Sequence, residues 1–322
     1  MYSSNWGVNI ITTTLYNNIS EQSILELLGT GAVMRSMGRK INKVGIFLSI
    51  QLMTIWLNIN KWDHWKYVHK IQEEVNNLRD DLDVCVIYPN WINVGYHCLK
   101  QSDYPDNVPF QMFICNPRTN IIPKLSDIDN LIEKCKNKSV YIHAPYTINL
   151  CNDSSIELLK YNLRIGKKIK ASGVVVHTGA HGKFTYMDGI NKYIDNIIKI
   201  LPYISRSCPL LIETPAGEGT DIGSSVESLG IIYDQFKNNC RIGICVDTCH
   251  VYASGIDPIT YLHKWNTTYP KSIKLIHFND SAKYRGCLVD KHTAPGYGYI
   301  GLTRMNDIYL FGSEYNIPMV RE

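Results

Sequence analysis

The feature that most constrains this chain is a recurring one. From about Asn93 onward, short apolar runs close on a polar and often metal-capable residue, then give way to a loop and usually a helix-like stretch. The runs are Asn93–His97, Gln111–Cys115, Val140–His143, Val174–His177, Leu210–Glu213, Ile244–Asp247, Lys274–His277 and Ile317–Glu322. Continuous apolar runs of this length suit strands buried on both faces, as in a parallel sheet. Between them lie helical patterns. Ser154 to Ala171 carries Ile156, Leu159, Leu163, Ile165 and Ile169 behind the cap candidates Asp153 and Ser154; Ile190–Leu201 and Ser225–Phe236 read as amphipathic helices too. Alternation with eight candidate strands predicts an α/β fold, a (β/α)8 TIM barrel over residues 91–322, with a doubly wound sheet as the competing arrangement.

Residues 1–90 lack this rhythm and read as a small N-terminal extension or domain. Trp62, Trp65, Val68, Ile71, Val75 and Leu78 fall on one helical face, and Arg35, Arg39, Lys40 and Lys43 form a basic cluster. DNA contact, partner binding and support of the barrel are all compatible with that segment. The opening Met1–Trp6 has no basic region followed by an apolar stretch, so no secretory signal is expected. The most apolar run, Val44–Leu57, is interrupted by Ser49, Gln51 and Thr54 and falls short of the roughly 20 residues a membrane span needs. No two of the ten cysteines form a CxxC pair, which removes zinc ribbons and thioredoxin-type motifs and points to reduced thiols inside a cell. The net charge of +4 permits a polyanionic partner without requiring one. The composition suits an AT-rich microbe or a large DNA virus.

In a parallel barrel the C-terminal strand ends surround one mouth. His143, His177, Glu213, Asp247, His277 and Glu322 would therefore converge there. A lone buried histidine is more often a hydrogen-bonded core residue, but six strands ending this way are hard to attribute to chance. Mixed histidine and carboxylate donors suit zinc or another transition metal better than magnesium. Asp247-Thr248-Cys249-His250 adds a ligand candidate just past its strand. Asp290-Lys291-His292 aims two more the same way if extended. His181 is expected to be structural and Cys249 to be packing, and His97 is left outside the ligand set.

At this point the residues resemble a family. His143-Ala144-Pro145-Tyr146, His177-Thr178-Gly179, Glu213-Thr214-Pro215-Ala216-Gly217-Glu218-Gly219, Asp247-Thr248-Cys249-His250, His277-Phe278-Asn279-Asp280 and Asp290-Lys291-His292 resemble, in identity and order, the endonuclease IV family of apurinic/apyrimidinic endonucleases. The resemblance runs from about Asn93 to Glu322. It implies a TIM barrel with three zinc ions, for which manganese can substitute. His143, His177 and Glu213 would hold the first ion. Glu213 would bridge to a second, completed by Asp247, His277 and Glu322, and His250, Asp290 and His292 would hold the third. It further implies hydrolysis of the phosphodiester 5′ to an abasic site in double-stranded DNA, 3′-end cleaning, a monomer, and Glu213 as orienter of the nucleophile. Arg118 and Tyr146 would sit on loops entering the DNA, where an abasic nucleotide is cheaper to extrude than a stacked one.

Two departures stand out. Cys98–Phe110 is too short for the usual helix between the first two strands. Glu322 ends the chain where family members continue into a helix, so a shortened chain and a weakly held second metal are expected. A metal-dependent sugar isomerase or epimerase on the same barrel is the rival reading, and a DNA-binding barrel without activity is another.

Overall fold

The computed structural model describes residue 91 and residues 93–98, 104–123 and 128–322. The N-terminal segment 1–90, with its basic cluster and tryptophan-bearing helical face, lies outside the described residues. Eight parallel strands close into a barrel: β1 (Val94–His97), β2 (Phe110–Phe113), β3 (Val140–His143), β4 (Gly173–His177), β5 (Leu210–Glu213), β6 (Ile242–Asp247), β7 (Ile273–His277) and, after a two-stranded hairpin of β8 (Asp280–Ser281) and β9 (His292–Thr293), β10 (Met319–Arg321). β10 pairs with β7 on one side and with β1 on the other, which closes the ring. The doubly wound alternative is thereby excluded.

Side chains alternate between the two faces of a strand, and that alternation builds the site. Tyr141, Val175, Leu211, Cys245, Leu275 and Val320 share one phase and pack together as a plug inside the barrel. The other phase, including Val140, Ile142, Val174, Val176, Ile212, Ile244 and Ile276, packs outward in the larger core. One step of two residues beyond each plug residue stand His143, His177, Glu213, Asp247, His277 and Glu322. The phase that fills the plug therefore turns these six toward the mouth. Register sets the ends level in pairs, Phe113 opposite His143, His177 opposite Glu213, and Asp247 opposite His277, and steps by two residues between pairs, where His143 lies opposite Val175 and Glu213 opposite Cys245. Burying each large apolar plug residue contributes about 1.5–3 kcal/mol, so slipping one strand would cost the plug as well as the site.

The helices are α1 (Ile128–Cys135), α2 (Ile156–Lys168), α3 (Tyr186–Ile200), α4 (Val226–Asp234), α5 (Thr248–Ala253), α6 (Pro258–Thr268) and α7 (Gly301–Glu314). α2 is shorter than Ser154–Ala171. Asn152 caps a 3-10 turn over Asp153–Ser155, and Lys170 leaves the helix at φ 56°. α3 begins four residues before Ile190 because the Thr185 side chain accepts from the Asp188 N–H. Ser225 caps α4 reciprocally with Ser228. Among the described residues no helix lies between β1 and β2.

The hairpin is held by Asp280. Its Oδ2 accepts from the backbone N–H groups of Gly296, Gly298 and Gly301, and its Oδ1 from those of Ser281 and Ile300. Burial pushes this carboxyl up to about 6, and those N–H groups pull against the shift. A Cβ at Gly298 would run into the Ser281 carbonyl and the Asp280 carboxylate, so only glycine allows the wrap. In Asp280→Asn an amide NH2 must face backbone donors. The expected loss is about 2–4 kcal/mol of stability, read by urea unfolding. A variant within about 0.5 kcal/mol of wild type would show that the wrap contributes little.

Candidate metal centre

Glu213, at the end of β5, lies at the middle of the mouth and is buried. Its Oε2 lies 3.1 Å from His143 Nε2 and 3.2 Å from His177 Nε2; its Oε1 lies 2.9 Å from His277 Nδ1 and 3.6 Å from His250 Nδ1. Four strands or strand extensions thus meet on one carboxylate. Burial alone would raise its pKa, but His277 and His177 hold it well below the usual carboxylate range.

Four sets of donors form at the mouth, one of them made by Cys249, Asp290 and His292. One atom each from His143, His177 and Glu213 lie within 4.8 Å of one another, as do donors from Glu213, Asp247, His277 and Glu322, and from Asp247, His250 and His292. Asp290 Oδ2 lies 3.1 Å from His250 Nε2 and Asp290 Oδ1 2.9 Å from His292 Nε2, which adds it to the third set. The hairpin makes this possible: Ser281 pairs with His292, turning Asp290 and His292 back toward α5. The Asp247 side chain also caps α5 by accepting from the His250 N–H at 2.9 Å, which fixes both ligand candidates at once.

The donor chemistry fits divalent metal ions. His143 Nδ1 faces the Ala144 carbonyl at 2.6 Å while its Nε2 faces Glu213; His277 Nε2 faces Gln111 Oε1 at 2.9 Å while its Nδ1 faces Glu213. His250 Nδ1 faces the Thr214 carbonyl at 2.8 Å, and its buried Nε2, though near Asp290, has no aligned hydrogen-bond partner. A neutral imidazole has one N–H and one lone pair. Each ring must therefore be an imidazolium or share the facing oxygen with a cation. Neighbouring rings lie close, at 5.2 Å for His143 and His177, 5.9 Å for His143 and His277, and 5.6 Å for His250 and His292. Two imidazoliums at that spacing repel by about 3 kcal/mol at an effective dielectric of roughly 20. Metal ions between neutral rings and carboxylates remove that repulsion, and the carbonyl contacts are the usual outer support of a ligating histidine.

Glu322 is firmly placed despite ending the chain. Gln111 Nε2 donates to its Oε1 at 2.6 Å, Asn279 Nδ2 donates to its Oε2 at 3.3 Å, and its own N–H donates to Asn279 Oδ1 at 2.8 Å. These contacts fix the carboxylate itself. Asn279 Nδ2 also donates to Asp247 Oδ2 at 2.7 Å. Gln111 and Asn279 were not among the expected site residues. The signal for Gln111 was a lone amide in an apolar strand run; for Asn279 it was its place directly after His277-Phe278.

His97 touches the site without joining a donor set. Burial pushes its imidazole down to about 4, Glu322 opposes that, and Nδ1 lies 3.3 Å from Gln111 Nε2. His181 faces the Phe184 carbonyl at 2.7 Å in a turn away from the donors. The buried Cys249 donates its S–H to the Lys291 carbonyl at 3.6 Å, a contact that supports the hairpin. Tyr146 is half-exposed, stacks on His177 at 5.5 Å and meets His143 edge-on at 5.2 Å. Its backbone N–H donates to the Pro117 carbonyl at 2.9 Å, which ties its loop to the turn carrying Arg118. Thr147 strengthens the tie by donating to the Thr119 carbonyl at 3.2 Å. Among the described residues no helix is long and apolar enough to cross a membrane.

Residues 110–308 match the family described as a xylose isomerase-like TIM barrel. A protein named probable endonuclease 4, from Staphylococcus aureus (strain JH9), is 33% identical over 204 residues, which span 60% of this chain and 69% of that protein. The crystal structure of endonuclease IV from Thermus thermophilus superposes with a TM-score of 0.57 at 24% identity, covering 66% of this chain and 81% of that one. A D-tagatose 3-epimerase-like protein superposes with a TM-score of 0.56 at 15% identity, over 71% of this chain and 89% of that one. The two superpositions establish the shared barrel alone. Taken with the sequence identity to endonuclease 4, the chain belongs to the endonuclease IV family within the xylose isomerase-like TIM barrels.

Proposed function

We propose that the protein is a zinc-dependent endonuclease of DNA repair that hydrolyses the phosphodiester 5′ to an abasic site. Water adds to phosphorus and the P–O3′ bond breaks. The upstream strand is left with a 3′-hydroxyl and the abasic residue with a 5′-phosphate. The observation that carries this reading is the sharing of Glu213. Both of its oxygens face histidines from different strands, so this carboxylate would serve two donor sets at once. His143, His177 and Glu213 would hold the first zinc, Glu213, Asp247, His277 and Glu322 the second, and His250, Asp290 and His292, beside Asp247, the third. Bound divalent ions supply Lewis acidity, which neutralises phosphoryl charge and acidifies water. The chain's own residues do the rest. Glu213 orients the attacking water between its neighbours, and the walls of the mouth hold the phosphate in line. Tyr146, stacked on His177 beside the donors, and Arg118, on the turn its backbone holds, would occupy the gap left by the extruded nucleotide. Manganese would serve in place of zinc, and blocked 3′ ends would be further substrates.

A sugar isomerase or epimerase reading has one observation in its favour, the barrel shared with the D-tagatose 3-epimerase-like protein. That chemistry needs one or two ions and leaves the hairpin pair Asp290 and His292 without a use. The separating experiment is incubation of the zinc-loaded chain with a duplex holding one tetrahydrofuran abasic analogue. That analogue cannot undergo β-elimination, so incision identifies hydrolysis. Glu213→Gln is expected to lower incision by more than about 10²-fold while duplex binding persists. Intact duplex at full zinc occupancy, or ketohexose epimerisation with manganese, would sink the nuclease reading. Bound but uncut duplex would leave a binding barrel.

Zinc uptake should also be linked to protons. In the metal-free protein burial lowers the imidazole pKa values, but Asp247 and its neighbours overcome it and hold His250 well above the ordinary value; Glu322, Glu213 and Asp247 help do the same for His277. Such raised groups stabilise the metal-free fold below their unfolded pKa of about 6.5 and lose that contribution as pH rises through the folded pKa. Zinc needs neutral rings, so its affinity is expected to climb as pH rises through the raised folded values of these imidazoles, with proton release. Calorimetry in buffers of different ionisation enthalpy measures the release. Proton-neutral binding would show that the ions sit elsewhere.

A further inference from the structure

We propose that Gln111 is the positioning residue that selects the ligand nitrogen of His277 and orders Glu322 beside it, an inference that rests on the metal-centre reading above. Gln111 lies on β2, is completely buried, and stands opposite His97 of β1 and Tyr141 of β3. From there its amide reaches across the floor of the mouth to β7 and to the residue that follows β10.

The amide orientation is determined by what it faces. An ionised carboxylate only accepts, so the NH2 end must face Glu322 Oε1, at 2.6 Å. Its second hydrogen points to His97 Nδ1 at 3.3 Å. The carbonyl end is left for His277 Nε2, at 2.9 Å. An acceptor there requires the His277 proton on Nε2 and leaves the lone pair on Nδ1. Nδ1 is the atom that faces Glu213 Oε1 at 2.9 Å, Glu322 Oε2 at 3.4 Å and Asp247 Oδ2 at 3.6 Å. One buried amide thus turns two members of a single donor set toward each other. Reversed, it would place oxygen against oxygen at Glu322 and drive the His277 proton onto Nδ1, into the ligand position.

The test uses the full-length zinc-loaded chain with 15N-labelled histidine. Wild type is expected to show His277 protonated at Nε2 and zinc-shifted at Nδ1. Gln111→Glu keeps an acceptor for Nε2 and should keep that signal, while it loses the donor to Glu322 and with it the ordering of that carboxylate. Gln111→Met, of similar length but without the amide, should lose it to exchange. Competition with a chromophoric chelator should show one zinc of Gln111→Met weakened by about 10–100-fold and the others at wild-type affinity. His277→Ala identifies which zinc that is. Zinc bound through His277 Nε2 in wild type overturns the proposal even if the variants fail to fold. So does a Gln111→Met protein whose spectrum and affinities match wild type while His277→Ala loses an ion. A wild-type chain that takes up no zinc overturns the metal centre itself, a result distinct from both.

Discussion

The structure turns on a concentration of charge that water cannot relieve. Glu213, Asp247 and His277 are fully buried or nearly so, directly above an apolar plug of Leu211, Cys245 and Leu275. A carboxylate taken out of water is costly unless it is paired and hydrogen-bonded. The barrel meets that cost by geometry. Parallel pairing sets His177 beside Glu213 and Asp247 beside His277, while Glu213 stands opposite Cys245, a two-residue step below Asp247. In barrel order the ends run His143, His177, Glu213, Asp247, His277 and Glu322, so each carboxylate has a histidine on a neighbouring strand. The apolar plug excludes water from below, and what it gains by burial offsets part of what the charges lose. Plug and site are therefore two levels of one strand pattern.

Neutral amides complete the arrangement where more charge would be repelled. Asn279 gives its NH2 to Asp247 and Glu322 together, and Gln111 gives its own to Glu322. A lysine in either place would compete with a cation for the same oxygens, and a carboxylate would add to the repulsion. An amide binds the acid through a dipole and leaves the formal charge for a metal to satisfy. Carbonyl oxygens play the complementary part for histidine, with Ala144, Thr214 and Gln111 each occupying one ring nitrogen and leaving the other turned inward. The support is thus as specific as the ligands, although it has no charge of its own.

Much of this was legible in the sequence, for a local reason. A strand two-faced in burial reads as an unbroken apolar run, and its terminal His, Glu or Asp is visible because nothing polar precedes it. Val140–His143 and Leu210–Glu213 agree with the observed strands residue for residue. Helix edges were less legible. α3 starts at Tyr186, after a threonine cap and four residues ahead of Ile190, and Gly189 inside its first turn hides the periodicity. Gln111 was read as the start of a strand and nothing more, since its partners lie at positions 97, 277 and 322. No local pattern reports a contact across more than two hundred residues. The same limit hides the partners of Glu322, since the side chains of Gln111, Asn279 and His277 meet it only in the folded barrel.

That long-range dependence sets the order in which the centre can form. His143, His177 and Glu213 come from consecutive strands, so the first donor set is assembled once β3, β4 and β5 have paired. The second set needs Glu322, which meets Asn279 and His277 when β10 pairs with β7 and has the β1–β2 side of the barrel, with Gln111, beside it once β10 also pairs with β1. Pairing of that separation is entropically late. The third set needs the β8–β9 hairpin wrapped around Asp280, an ordering local to one connection. A chain whose barrel is open can therefore present the histidine-rich half of the mouth but not the half that Gln111 organises. Barrel closure adds Gln111 to the support of the Glu213, Asp247, His277 and Glu322 set, and a ligand that binds the supported set favours the closed ring by mass action.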